Sequence, residues 1–187
     1  MDIDELEGIL AFIKHAENLK NTFRFSHTST GRQESTAEHS WRLCLLLVAY
    51  AHYCPHLDLE KTLKLAVIHD LPEAVCGDTP AIDQIEPSVK TSMERAGLDK
   101  LLAPLPEHVR CEFSALWEEY TSAETQEAKF VKAMDKIETL IQHNQGSNSS
   151  AFNYSFNLTY GKEATDGIAL TASLRTLIDA ETKTHID

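Results

Sequence analysis

The sequence is poor in basic residues. Its 17 Lys and Arg residues stand against 29 Asp and Glu residues, which leaves a formal net charge of −12. This negative charge disfavours a nucleic-acid polymer or an anionic membrane as a partner, because both attract basic surfaces. No run of residues is apolar for long enough to span a bilayer, and the acidic start of the chain does not have the character of a signal peptide. We therefore expect no membrane partner.

Cysteine and glycine are also scarce. The four cysteines show no CxxC spacing, and two of them lie in strongly apolar contexts, which favours buried reduced thiols and a cytoplasmic protein over a disulfide framework. The chain has no glycine-rich phosphate loop, no internal repeat and no useful length of strand-like alternation. A length of 187 residues with 42% hydrophobic residues is enough for one domain with its own core.

Apolar residues recur at helical spacing along most of the chain, so the sequence predicts an all-α single domain. The clearest helix start is the capping-box pattern Ser35-x-x-Glu38, after which a strongly apolar helix is expected to run through the middle of the fold. The stretch 22–31 is rich in hydroxyl groups and is predicted to be a loop. The predicted helices are 4–19, 39–53, 58–71, 84–103, 106–120, 124–143 and 165–180.

An adjacent histidine and aspartate, His69 and Asp70, close one apolar helical run. Burying two ionisable groups there is unfavourable unless a partner or a metal compensates them. His39 lies in the first turn of the predicted central helix, and Asp135 lies beside the apolar face of a later helix. Two imidazoles and two carboxylates make a mixed nitrogen and oxygen set that suits one Co²⁺, Mn²⁺, Fe²⁺, Ni²⁺ or Zn²⁺ ion and leaves room for water.

Such a metal site would be open enough for catalysis. Its ion can polarise a phosphoryl oxygen and lower the pKa of its water from 15.7 toward roughly 7. Glu73 is close enough in sequence to position that water or to protonate a leaving oxygen. Each residue also has a simpler interpretation: a lone His39 or Asp135 is more often a satisfied core or surface residue. Glu73 and Asp78 also suit a helix start, so only the joint spacing favours the metal site.

The order of these residues resembles the H…HD…D pattern of the HD-domain metal-dependent phosphohydrolases, a wholly helical superfamily. Three longer stretches look like those of the bacterial 5′-deoxynucleotidases and their eukaryotic relatives. They are Ser35-Thr36-Ala37-Glu38-His39-Ser40, His69-Asp70-x-x-Glu73-x-x-x-Gly77-Asp78-Thr79-Pro80 and Glu127-Ala128-Lys129-x-Val131-Lys132-x-x-Asp135-Lys136. The resemblance covers a core of about residues 5–145 and leaves a C-terminal loop and helix at about 146–182 outside it.

The resemblance implies an HD-type helical bundle that removes phosphate from deoxyribonucleoside 5′-monophosphates by attack of metal-bound water. It implies that the metal is held by His39, His69, Asp70 and Asp135. Glu73 would assist the attacking water, Asp78 and Thr79 would lie by the sugar or that water, and Arg24 would hold the phosphate. Phe25 stands where the bacterial enzymes have tryptophan, and is a candidate base contact. From the residues alone, Arg24 between two phenylalanines is either an anion clamp or part of a solvated connection.

Two other functions stay open at this stage. One is another HD-type hydrolysis, on a nucleoside triphosphate, a cyclic phosphodiester or an alarmone, although His52, His56 and His108 lie apart from the motif. The other is a non-catalytic nucleotide-binding or scaffold protein with a structural metal, which the presence of Glu73 and Arg24 beside the four ligands disfavours. The resemblance also implies a homo-oligomer, most simply a dimer.

Overall fold

A computed structural model describes residues 2–80 and 86–186. Within these ranges the chain forms α-helices and one short antiparallel hairpin, so the prediction of an all-α fold is confirmed. The elements are α1 (Ile3–Ala16), β1 (Phe23–His27), β2 (Gln33–Ser35), α2 (Thr36–Tyr50), α3 (Leu59–Ile68), α4 (Glu73–Cys76), α5 (Pro87–Leu102), α6 (Glu107–Ser122), α7 (Gln126–Gln145), α8 (Tyr154–Asn157), α9 (Lys162–Asp166) and α10 (Ala169–Lys183), with 3₁₀ turns at Glu17–Lys20 and Ala51–Tyr53.

The core lies where α2, α3 and α7 pack together. Leu43 and Leu47 of α2, Leu65 of α3 and Met134 of α7 are fully buried in one apolar cluster. A second cluster joins the end of α3 to α5 and α6 through residues such as Trp117. Burial of each such side chain contributes about 1.5–3 kcal/mol to the driving force for folding. These two clusters fix the start of α2, the end of α3 and the middle of α7 close to one another.

The capping box predicted at the start of α2 is present. The Ser35 hydroxyl accepts a hydrogen bond from the backbone N–H of Glu38, and the Glu38 carboxylate accepts one from the backbone N–H of Ser35 at 2.8 Å. The helix therefore begins at Thr36, which places His39 at the end of its first turn. A cap of this kind contributes about 1 kcal/mol to helix stability.

The prediction of a loop over 22–31 is wrong, because Phe23–His27 pairs with Gln33–Ser35. The polar side chains of Arg24 and Ser26 face inward and the rings of Phe23 and Phe25 face outward, which reverses the usual strand pattern. An apolar periodicity search does not detect such a strand. Gly31, with a φ of 82°, adopts the left-handed conformation that the hairpin turn requires.

The interpretation of α2 as buried all round is also wrong. Leu43 and Leu47 face the core, but Trp41 is 65% exposed, and Leu45 and Val48 on the same outer face are each 53% exposed. The helix lies at the side of the bundle, since only its inner face meets α3 and α7. The remaining predicted helices agree with the structure to within a few residues, apart from positions 84 and 85, which lie outside the described residues.

The C-terminal elements pack on α7. Ile178 of α10 joins Ile137 and Leu140 in a third apolar cluster, and Arg175 of α10 is buried among the residues of α8 and α9. In the described ranges, no helix combines the length and apolar character that crossing a membrane requires. The four cysteines are free thiols, as predicted, although Cys111 is exposed rather than buried.

Candidate active site

The start of α2, the end of α3 and the middle of α7 bring the predicted metal ligands together. Among the described residues, His39, His69 and Asp70 form a group whose ligand atoms all lie within 4.8 Å of one another. Asp135 of α7 joins them, because its Oδ1 atom is 3.1 Å from Nε2 of His39. The Oδ2 atom of Asp70 is 3.0 Å from Nε2 of His69 and 3.6 Å from Nε2 of His39. Three of the four predicted ligands thus form one close group, and Asp135 lies beside it through its contact with His39.

Both imidazoles are oriented by hydrogen bonds from their Nδ1 atoms. Nδ1 of His39 donates to the fully buried Glu138 carboxylate, and Nδ1 of His69 donates to the backbone carbonyl of Ala66 at 2.7 Å. These bonds fix the tautomer in which Nε2 carries the lone pair. Backbone carbonyls and carboxylates in this position are typical of histidines that bind a metal.

The arrangement around the Nε2 atoms of His39 and His69 requires a positive charge between them and the nearby carboxylates. Within the described residues, neither Nε2 atom has a hydrogen-bond partner, although carboxylate oxygens lie 3.0–3.6 Å away. Lone pairs that face each other in a buried site repel unless a proton or a cation lies between them. Burial and Arg24 oppose a charged imidazole, but Glu138 and Asp135 outweigh them and raise the pKa of His39 to about 10. Ligands at about 2.1 Å from one octahedral ion lie about 3 Å apart, so the site fits a divalent cation.

The Asp135 carboxylate is held on its other side by two further groups. Its Oδ2 atom accepts hydrogen bonds from the Tyr120 hydroxyl at 3.2 Å and from Nζ of Lys136 at 2.8 Å. Burial opposes its charge, but Lys136 and His39 outweigh burial and hold the pKa of Asp135 well below its usual range. The Tyr120 ring also packs edge-on against His69 at 5.2 Å. The carboxylate therefore stays ionised, with Oδ1 directed at His39.

Glu73 lies at the start of α4, just beyond the His69-Asp70 pair. Its side chain is buried and accepts a hydrogen bond from the Thr36 hydroxyl at 2.9 Å. Burial, together with the charges of Asp70 and Asp78, raises the pKa of Glu73 to about 9. A carboxyl group of this kind can hold a proton at neutral pH and exchange it with a reacting oxygen.

Arg24 extends from β1 toward the same group of residues. Its Nε atom pairs with Glu34 at 3.2 Å, and its Nη2 atom donates to the Thr139 hydroxyl at 3.0 Å. Its Nη1 atom is 3.8 Å from Asp70. Glu34 is held in turn by the Ser26 hydroxyl at 2.8 Å. The guanidinium is thus fixed with one edge toward the metal ligands, in the geometry that suits an oxyanion.

A cavity of about 240 Å³ opens beside these residues. Asp78 and Thr79 lie on its wall, and Phe25 lies at its edge. Burial, with Asp70 nearby, raises the pKa of Asp78, although Arg24 acts in the opposite direction. The structure therefore brings every residue predicted for the site to one cavity or to its immediate border.

Sequence reasoning missed several residues of this site. Glu138 and Thr139 were overlooked, although their spacing of three and four residues from Asp135 places them on the same helix face. Lys90 of α5 and Lys136 of α7 also line the cavity. The C-terminal aromatic residues Phe152, Phe156 and Tyr160 form another part of its wall, and no periodic pattern signals their position.

Comparison with known proteins defines the class of protein to which this fold and site belong. Residues 16–172 match the HD domain family, and the chain belongs to that family.

Two relatives are 5′-deoxynucleotidases by name. The chain is 30% identical over 137 residues to the 5′-deoxynucleotidase HDDC2 of Mus musculus. This match covers 72% of this chain and 68% of the mouse protein. It is 34% identical over 141 residues to the 5′-deoxynucleotidase hdd1 of Schizosaccharomyces pombe. This match covers 72% of this chain and 70% of the yeast protein. A solved structure of a predicted metal-dependent phosphohydrolase from Magnetospirillum magnetotacticum has the same fold, with a TM-score of 0.77 and 24% identity. The match covers 98% of this chain and 96% of that chain.

Proposed function

We propose that this protein is a metal-dependent phosphohydrolase that removes the 5′-phosphate from deoxyribonucleoside 5′-monophosphates. One observation carries the proposal: two oriented histidine Nε2 atoms, which have no hydrogen-bond partner among the described residues, face carboxylates beside a fixed arginine at one cavity. The family match and the names of the mouse and fission-yeast relatives support the same reaction and substrate class.

His39, His69, Asp70 and Asp135 would hold one divalent transition-metal ion, for which Co, Mn, Fe, Ni and Zn are all chemically suitable. When bound, such an ion supplies charge neutralisation at a phosphoryl oxygen and acidifies the attacking water. Glu138 and the Ala66 carbonyl keep both imidazoles in the orientation needed for ligation. Tyr120 and Lys136 keep Asp135 ionised and directed inward.

The other residues of the cavity handle the phosphate and the proton. Arg24 would bind non-bridging phosphate oxygens through the edge of its guanidinium that Glu34 and Thr139 leave free. Glu73 would exchange a proton with the attacking water or the leaving 5′ oxygen, since its pKa lies above neutrality. Asp78 and Thr79 would orient the sugar or the water. Positioning and charge neutralisation would supply most of the rate enhancement.

A panel of deoxyribo- and ribonucleoside 5′-monophosphates, with triphosphates and cyclic dinucleotides, tests this function. With Co²⁺ or Mn²⁺ we expect phosphate release from the monophosphates, fastest from the deoxy forms, and none from His69→Ala or after chelation. Release only from triphosphates would overturn the monophosphatase assignment. No release from any substrate, with metal still bound, would favour a scaffold with a structural metal.

We further propose that the chain acts as one domain over residues 1–187, as a cytoplasmic homodimer. The packing of α8–α10 against α7 supports the single domain, because α8 lines the cavity and α10 shares an apolar cluster with α7. The exposed apolar face of α2, formed by Trp41, Leu45 and Val48, supports self-association. A monomeric mass by light scattering at micromolar concentration would contradict the dimer.

A further inference from the structure

The cavity has two chemically different ends. Arg24, Asp70 and Asp135 form a charged end, whereas Phe152, Phe156 and Tyr160 line the cavity with half-buried aromatic rings. These rings belong to the C-terminal segment 147–160, outside the part of the chain that carries the phosphohydrolase motifs. A charged end joined to a flat apolar wall matches a ligand that has an anionic group and a planar ring.

The aromatic rings that line the cavity lie in two packed groups. Phe152 stacks on Phe25 of β1, with ring centroids 5.6 Å apart and an angle of 23° between the planes. His143 packs edge-on against Phe152 at 4.9 Å. Phe156 lies beside Tyr160 at 5.5 Å and 30°. The Phe25–Phe152 pair connects the hairpin that carries Arg24 to the C-terminal segment, and the Phe156–Tyr160 pair lies within that segment.

A buried arginine far from the charged end holds this wall in place. Arg175 of α10 donates hydrogen bonds to the backbone carbonyls of Asn157 and Tyr160, each at 2.6 Å, and pairs with Asp179 at 2.6 Å. Its side chain is 2% exposed. The backbone N–H of Ser147 also donates to the Thr28 carbonyl at 3.0 Å, which ties the segment to the hairpin. The aromatic wall is therefore preformed, so a ligand does not have to order it.

We propose that Phe152 and Phe156 form a subsite that binds the nucleobase of the substrate by stacking. This inference rests on the proposed 5′-nucleotidase function and adds the group that recognises the base. Stacking on aromatic rings tolerates every base, because each base has a flat π-face. The subsite thus distinguishes nucleotides from sugar phosphates and discriminates only weakly among the four bases.

The test compares nucleotides with 2-deoxyribose 5-phosphate, which keeps the phosphate and sugar but lacks the base. In Phe152→Leu and Phe156→Leu, which retain apolar volume, we expect KM for deoxyribonucleoside 5′-monophosphates to rise about tenfold or more with little change in kcat. The kcat/KM for 2-deoxyribose 5-phosphate should stay within twofold of the wild-type value. Tyr53→Leu, which removes an exposed aromatic ring outside the cavity, is the matched control and should change the kinetics of neither substrate.

Calorimetric binding of the same two ligands keeps this test independent of catalysis. We expect the wild-type protein to bind deoxyadenosine 5′-monophosphate at least tenfold more tightly than 2-deoxyribose 5-phosphate, and both leucine variants to lose that difference. Arg175→Met should lose it in part, because the wall is then less firmly positioned. Equal affinity for the two ligands in the wild type, or leucine variants that keep the full difference, would overturn the subsite. Absence of phosphate release with the binding pattern intact would overturn only the proposed reaction.

Discussion

Glu138 accepts a hydrogen bond from Nδ1 of His39, and both side chains are fully buried. The bond directs Nε2 of His39 at Asp70 and Asp135 and compensates a carboxylate that would otherwise be buried at high cost. Arg42 lies 3.6 Å from the other oxygen of Glu138 and completes the network. Glu138 is therefore a positioning residue for the metal site, although it does not itself reach the ligand cluster.

Replacing Glu138 tests this relationship. We expect Glu138→Gln to lower the affinity for Co²⁺ or Mn²⁺ by about 10–100-fold, because the neutral amide supports the imidazole less strongly. Competition with a chromophoric chelator measures this affinity directly. Glu127→Gln, which makes the same change at a carboxylate of α7 that faces Lys61 outside the ligand cluster, should leave metal affinity within threefold. Unchanged affinity in Glu138→Gln would show that His39 is oriented without it.

Thr139 is expected to act through Arg24. Thr139→Val removes the hydroxyl that accepts from Nη2 of Arg24 at 3.0 Å but keeps the side-chain volume. Losing one hydrogen bond to a charged group corresponds to about 1.5–3 kcal/mol, so KM for a nucleoside monophosphate should rise about tenfold or more. Arg24→Lys should raise KM further, because an ammonium cannot bind two phosphate oxygens in a plane. In the variant that carries both Arg24→Lys and Thr139→Val, KM should be little higher than in Arg24→Lys alone. Fully additive effects on KM would contradict the claim that Thr139 acts through Arg24.

His143 should make stability depend on pH. Burial lowers its pKa from 6.5 to about 4, so between these values the unfolded chain binds a proton that the folded chain does not. Stability is therefore highest above pH 6.5 and falls as the pH drops toward 4, by about 2 kcal/mol between pH 7 and pH 5. Urea unfolding at several pH values should show that His143→Gln loses this part of the pH dependence. The exposed His52→Gln should behave like the wild type, and an equal loss in both variants would argue against burial as the cause.

Gly161 occupies a position that other residues fit poorly. Its φ is 67°, and a Cβ atom there would lie 2.7 Å from Cβ and Cγ of Lys136, whose Nζ contacts Asp135. We expect Gly161→Ala to lower the free energy of unfolding by about 1–2 kcal/mol and to weaken metal binding. Gly167→Ala is the matched control, because the nearest atoms to its Cβ would be 3.9 Å away. Thermal unfolding should give a clearly lower melting temperature for Gly161→Ala than for Gly167→Ala.

The helices and the metal ligands were predictable because their signals are local. The capping box at Ser35 and the breaks near Asn21 and Pro72 mark helix boundaries through backbone hydrogen bonding, which short sequence patterns record. His39, His69, Asp70 and Asp135 stood out because ionisable groups in apolar helical contexts need compensation. The structure brings these four side chains together, and their roles as ligands remain a prediction that metal binding must test.

The hairpin, the outer face of α2 and the aromatic wall could not be predicted in the same way. The hairpin places Arg24 and Ser26 inward, because they face a polar site rather than an apolar core. Trp41 and Leu45 are exposed because neighbouring helices cover only one side of α2, and a single-chain sequence does not reveal which side. Phe152 and Phe156 reach the cavity through the tertiary contacts of Arg175, which lies about twenty residues further along the chain.

The central claim is that one divalent ion, held by His39, His69, Asp70 and Asp135, is required for phosphate release. Titrating metal-free protein with Co²⁺ while measuring bound metal and phosphate release from deoxyadenosine 5′-monophosphate in the same samples tests it most directly. We predict that both quantities rise together and saturate at one ion per chain, and that His69→Ala abolishes both while its circular dichroism spectrum stays unchanged. Full phosphate release from the metal-free protein, or from His69→Ala, would contradict the claim.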